Sequence, residues 1–264
     1  MRDFTLDTYA SLMDSLKDSG RVFHHVQDYY KIAETNQNVL LRQDVDYSKT
    51  NALKIARIQS ERGIRSTFYF RTIPLVYDPE IIQQIADLGH EIGYHYETMD
   101  KARGNISKAY DLFCRELEGL RKMYPVKTVC MHGSPLSKYD NRTIWTQYSY
   151  KELGLIFEPY FDMDFNKFFY LTDTGRRWDG ASVSIRDKAM DSNPVTNEAF
   201  LKIDHHSTFD VINSINVGEI PSNLMITCHP NRWNDEVSKW MRELVMQNIK
   251  NTAKYAIVKL KSGK

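Results

Sequence analysis

Asn38-Val39-Leu40-Leu41-Arg42-Gln43-Asp44-Val45-Asp46 decides the reading of this chain. Its apolar, β-branched start predicts a buried strand, and the strand ends in two carboxylates separated by one residue. Side chains alternate along a strand, so Asp44 and Asp46 point to the same side. Two like charges held side by side are costly unless a cation lies between them or one is protonated. The stretch therefore predicts either a metal or acid–base site, or a strand end whose aspartates cap the next helix through an Asx turn.

Outward from this strand the pattern turns helical. Leu53, Ile55, Ala56 and Ile58 follow Ser48 as N-cap and precede Gly63, and Ser66–Phe70 reads as the next strand. Asp78-Pro79 opens a second helix that stops at Gly89. A strand is expected over Glu91–Tyr96, a helix from Ile106 to Met123, and a strand over Val126–Met131. Strand and helix alternating at this spacing predict parallel βαβ units. Further strands are expected at Leu155–Phe157, Phe168–Leu171, Ala181–Ile185 and Leu224–Cys228, with 186–218 irregular. A final helix from Val237 to Ile249 should lead into a short strand at Tyr255–Leu260. The result is one α/β domain: an N-terminal helical cover (1–37), a barrel (38–233), and a C-terminal helix and strand (234–264).

Composition narrows the function. A chain of 264 residues with net charge +1 lacks the basic excess of a dedicated nucleic-acid binder. No apolar run approaches the roughly 20 residues of a membrane span, and the N-terminus shows no apolar signal region. A cytoplasmic protein is expected. Cys114, Cys130 and Cys228 are scattered without metal-ligand spacing and read as buried free thiols.

In parallel α/β folds functional groups gather at the carboxyl ends of strands. Those ends carry Asp44 and Asp46, then His95 and Glu97, then His132, then Asp173 with Arg176 and Trp178, and last His229 with Trp233. Asp44-Val45-Asp46, Gly89-His90-Glu91-Ile92-Gly93-Tyr94-His95 and Leu224–His229 together resemble the polysaccharide deacetylase family, the NodB-homology carbohydrate esterases. More narrowly, Leu41-Arg42-x-Asp44-Val45-Asp46 with His90–Glu97 resembles a divergent branch of WbmS-like proteins tied to bacterial O-antigen clusters.

The resemblance implies a distorted (β/α) barrel of the NodB-homology type with fewer than eight strands. It implies a divalent metal ion, zinc foremost, with cobalt, manganese or nickel as alternatives. The implied substrate is an N-acetylated sugar of an O-antigen or capsule precursor, nucleotide- or lipid-linked, from which the acetyl group is hydrolysed. By the same resemblance Asp44 is the general base for the attacking water, Asp46 and His95 are metal ligands, and His229 is the general acid.

Where the family places a second histidine, four residues after His95, this chain has Met99, a poor ligand for such an ion. His132, at the end of the neighbouring strand, is the expected replacement, followed by Glu97 and His90. Arg42 faces the same side as Asp44 and is expected to orient it or to form a buried ion pair. Asp173, Arg176, Trp178 and Trp233 are the residues expected either to shape a sugar pocket or to pack in loops against the core. His205-His206 is expected at the surface. Other outcomes of the same pattern are a deformylase or other linear-amide hydrolase, and a sugar-binding protein that has lost its metal.

Overall fold

The computed structural model describes residues 2–33, 37–133, 137–178 and 205–262, with side chains to 252. Strand β2 (Asn38–Val45) is buried along its full length and lies at the centre of a sheet in which every pairing is parallel. The sheet runs β5 (Val129–Met131), β4 (Glu91–Tyr96), β3 (Thr67–Phe70), β2, β7 (Leu224–Cys228), β6 (Phe169–Thr172). A seventh strand, β1 (Val22–His24), pairs with the first residues of β2. Its register with Asn38–Leu40 brings part of the N-terminal 37 residues into the sheet itself.

The helices begin where local chemistry predicts. Ser48 accepts the Asn51 N–H ahead of α2 (Lys49–Ser60), counting α1 (Leu6–Asp18) as the first. Asp78 caps α3 (Pro79–Asp87), with proline at the first position, where no N–H is needed. After the single turn α4 (Thr98–Lys101), Asn105 caps α5 (Ile106–Arg121). The short α6 (Pro159–Asp162), α7 (Thr208–Asn216) and α8 (Val237–Ser262) follow.

Period-two alternation separates the two faces of the sheet. Val39, Leu41, Val45, Phe68, Phe70, Ile92, Tyr94, Tyr96, Val129, Met131, Leu224 and Ile226 join the core shared with the helices. Leu40 and Met225 belong to a second cluster with Val26, Phe157, Met163 and Phe168. The parity of Leu40 along β2 is that of Arg42 and Asp44, so this second cluster and the polar residues share one face. Above it Glu91 accepts hydrogen bonds from Thr67 and Thr128, both at 2.6 Å. Next comes Tyr69, whose ring occupies the space left by Gly93. Charged groups line the carboxyl end.

Flat strands lie about 4.8 Å apart, which would put β2 and β5 roughly 14 Å apart. Yet His132, just after β5, comes within 3.6 Å of Asp46, just after β2. The sheet is therefore strongly curled, a distorted (β/α) barrel with fewer than eight strands.

Three expectations change. Leu155–Phe157 forms no strand but a single bridge from Phe157 to Thr128, beside the edge strand β5. Tyr255–Leu260 continues α8, because no sheet edge takes up this segment and its apolar residues also suit helical spacing. Within the stretch read as irregular, Ser207 and Asp210 form a capping box that starts α7. The strand expected at Ala181–Ile185 lies outside the described residues.

A Cβ at position 93 would stand 2.4 and 2.5 Å from the Tyr69 ring. Gly93→Ala should lower the free energy of urea unfolding by about 1–3 kcal/mol through overpacking; an unchanged midpoint would mean that the ring is free to move aside.

Glu158 is fully buried, and desolvation pushes its carboxyl up to about 7 despite N–H donors from Met131 and Tyr160. A raised value means the folded state holds a proton that the unfolded chain releases. Stability therefore falls as pH rises from about 4.5 to 7, then levels off. Urea unfolding of metal-free protein should show a shallower decline for Glu158→Gln than for the parent over that window, and parallel slopes would contradict it.

Candidate metal and catalytic site

Six strands deliver one polar group or more to the carboxyl end of the sheet. β2 delivers Asp44 and Asp46, β3 Arg71, β4 His95 and Glu97, β5 His132, β6 Asp173, and β7 His229.

Arg42 grips Asp44 with both arms, Nε to Oδ1 at 2.7 Å and Nη2 to Oδ2 at 2.5 Å. Both are almost wholly buried. Burial alone would raise the Asp44 carboxyl, but the charges of Arg42 and then His95 outweigh it and hold it below the usual carboxylate range. Each carboxylate oxygen accepts one bond from Arg42 and keeps a further lone pair.

His95 Nδ1 lies 3.0 Å from the carbonyl oxygen of Cys130. A carbonyl only accepts, so Nδ1 carries the proton and the neutral ring turns an Nε2 lone pair inward. That Nε2 is 3.5 Å from Asp46 Oδ1 and 3.6 Å from Asp44 Oδ2. Burial pushes His95 down, yet the two aspartates more than reverse this and raise it.

His132 presents Nε2 to the same oxygen, 3.6 Å from Asp46 Oδ1. Its Nδ1 lies 3.1 Å from Glu97 Oε2, an ion-pair distance at an angle short of hydrogen-bond alignment. His229 Nε2 stands 4.0 Å from the other Asp46 oxygen. Burial would raise Asp46, but His132, His95 and His229 hold it well below the usual range.

Asp46 Oδ1 is buried and accepts no hydrogen bond, although imidazole nitrogens approach it from two sides. An orphaned buried carboxylate oxygen is unfavourable, and a cation at that point relieves it. One ligand atom each from Asp46, His95 and His132 lies within 4.8 Å of the other two. Two ligands about 2.1 Å from a tetrahedral ion are about 3.4 Å apart, close to the two distances found. The donor set, one carboxylate and two imidazoles, suits zinc and its neighbours in the first transition row. Asp44, His95 and Cys130 form a second such group, but Arg42 already engages both Asp44 oxygens.

The other candidates separate clearly. Met99 is a buried core residue. His90 lies at the opposite end of β4, bonded to Ala56 and Ser66, and desolvation pushes it down to about 4. Glu97 stands behind His132 and bonds Arg71 at 2.6 Å; these contacts overcome burial and hold its carboxyl down to about 2.

Asp173 is fully buried and meets His229 Nδ1 at 2.7 Å, with Arg232 and the Trp233 indole on the same carboxylate. It backs the histidine and has no surface to offer a sugar. Trp233 is likewise buried, Trp178 bonds Thr208, and Arg176 stacks on Trp240 while donating to its carbonyl. Of the two outcomes expected for these four residues, the structure shows packing within the protein: Asp173 and Trp233 have no exposed surface, and Trp178 and Arg176 bond to Thr208 and Trp240. His205 is buried rather than at the surface. Arg71 was missed, although it directly follows β3 and the strand-end rule points to it.

No family model matches the chain, and no curated protein matches it. Among solved structures, the chain is similar to a family 4 carbohydrate esterase from Bacillus anthracis, at 21% identity over 55% of this chain and 66% of that one, TM-score 0.38. It is similar to a family 4 pseudoenzyme from the same organism, at 11% identity over 83% and 63%, TM-score 0.41. A third is a family 4 carbohydrate esterase from Streptomyces lividans in complex with acetate, at 16% over 81% and 88%, TM-score 0.39. The chain thus spans just under two thirds of the length of the two Bacillus structures. Likeness at this level assigns neither family nor activity.

Zinc added to metal-free protein should raise its melting temperature, because an ion that binds only the folded state stabilises it by mass action. Asp46→Asn and His132→Ala should each abolish most of that rise while folding normally. A full zinc-dependent rise in both variants would place the ion elsewhere.

Proposed function

We propose that this chain is a metal-dependent hydrolase of the polysaccharide deacetylase kind that removes an N-acetyl group from a sugar of a cell-surface polysaccharide precursor. The observation that carries this reading is the Asp46–His95–His132 cluster around one orphaned carboxylate oxygen. It is flanked by an arginine-clamped carboxylate, Asp44, and an aspartate-backed imidazole, His229. The motif resemblance supports the same assignment.

Asp46, His95 and His132 would hold the divalent ion, zinc foremost, which when bound supplies a Lewis acid for the amide carbonyl. Asp44 is ionised and fixed by Arg42, so its remaining lone pairs take a proton from the attacking water. His229 Nδ1 donates to the Asp173 carboxylate, which fixes the ring and its tautomer. Nε2 then points into the site and delivers a proton to the leaving nitrogen. Water adds to the carbonyl carbon, the C–N bond breaks, and the products are acetate and a sugar amine. The precursor is nucleotide- or lipid-linked in this proposal. Among the described residues, no helix is long and apolar enough to cross a membrane. A metal-free sugar-binding role was suggested by Met99 alone, and His132 beside Asp46 weakens that motive.

Zinc- or cobalt-loaded protein should release acetate from N-acetyl sugar precursors. Asp44→Asn should keep its metal and lose activity by roughly 10²–10⁴-fold. Undiminished turnover in Asp44→Asn would remove the base assignment, and formate release from N-formyl sugars without acetate release would redirect the acyl specificity.

A further inference from the structure

Two residues beyond the proposed ligands, Arg71 and Glu97, form a chain that starts and ends at the ligand cluster. Arg71, immediately after β3, donates Nη2 to Glu97 Oε2 at 2.6 Å and Nη1 to the backbone carbonyl of Asp46 at 3.0 Å. The same Glu97 oxygen lies 3.1 Å from His132 Nδ1. Lys101 approaches the other Glu97 oxygen at 3.8 Å and pairs more closely with Glu116. Arg71 and Glu97 are both about nine-tenths buried.

We infer that Glu97 and Arg71 are positioning residues for the metal site, a brace that ties the ligand from β5 to the ligand from β2. This rests on the reading of Asp46, His95 and His132 as ligands. His132 stands on a loop after a three-residue strand, so it lacks the rigid seat that His95 has inside β4. Its carbonyl accepts from Asn141, and its N–H donates to Tyr96, which fixes the backbone but not the ring. Glu97 supplies what is missing. A carboxylate beside Nδ1 favours the tautomer with its proton there, leaving the Nε2 lone pair for the ion. Arg71 holds that carboxylate in place and, through its second arm, fixes the backbone of Asp46. One guanidinium therefore sets the separation of two ligands that come from strands three positions apart in the sheet. Glu97, just after β4, thus supports a ligand that stands just after β5.

Zinc affinity of metal-free full-length protein, measured by calorimetry, tests the brace, with the visible spectrum of the cobalt-loaded form as a second readout. Glu97→Ala should bind zinc 10–100-fold more weakly. Glu97→Gln, which keeps the volume and a neutral acceptor for Arg71, should lose less and serves as the test if Glu97→Ala does not fold. Arg71→Lys keeps the charge but not the two-armed reach, and should also weaken binding. Each variant that binds cobalt should show shifted absorption bands.

Wild-type affinity and an unchanged cobalt spectrum in Glu97→Gln and Arg71→Lys, with His132→Ala impaired, would overturn the brace and leave the ligand set standing. Wild-type affinity in His132→Ala would instead remove the ligand reading itself. A loss in Glu97→Ala exceeding that in His132→Ala would make Glu97 a ligand and overturn its positioning role.

Discussion

The site depends on keeping two carboxylates ionised at the buried end of one strand. Asp44, near the end of β2, and Asp46, just after it, face the same histidine, and little water screens one from the other. Arg42 neutralises the first with a bidentate grip. Among the described residues nothing neutralises the second so completely. Its partners are imidazoles at 3.5 to 4.0 Å, and one oxygen remains without a hydrogen bond. The rest of the carboxyl end is arranged around that deficit, with nitrogen donors pointed toward Asp46 and their far sides tied to carbonyl or carboxylate groups.

The curl of the sheet converts local motifs into this arrangement. β5 and β2 are separated by two strands, and only a strongly curved sheet brings His132 to Asp46. Gly93 contributes to that closeness, since it lets the Tyr69 ring lie across the interior beneath the site, where Arg42 packs over it. The two ends of the interior are chemically distinct. Leu40 and Met225 fill one end with apolar volume, and the charged groups fill the other.

Much of this was legible in the chain because the relevant signals are local. Buried strands, helix caps at Ser48 and Asp78, and polar groups at strand ends all follow from spacing, which is enough to set Asp44, Asp46, His95, His132 and His229 at strand ends. The segments that failed depend on distant partners. Leu155–Phe157 has strand-like residues, but only one bridge joins it to β5. Asp173 and Trp233 look like sugar-binding groups until they are found facing His229 and each other inside the protein. Arg71 and Glu97 show the same limit from the other side, since their partnership spans two strands and no spacing rule connects them.

In the proposed site one ion is held by residues from three strands, with His132 in place of the ligand that Met99 cannot supply. Anomalous diffraction at the zinc edge from zinc-soaked crystals tests it most directly. One strong peak is expected about 2.1 Å from Asp46 Oδ1, His95 Nε2 and His132 Nε2. A peak that leaves His132 uncoordinated, or no peak beside Asp46, would contradict it.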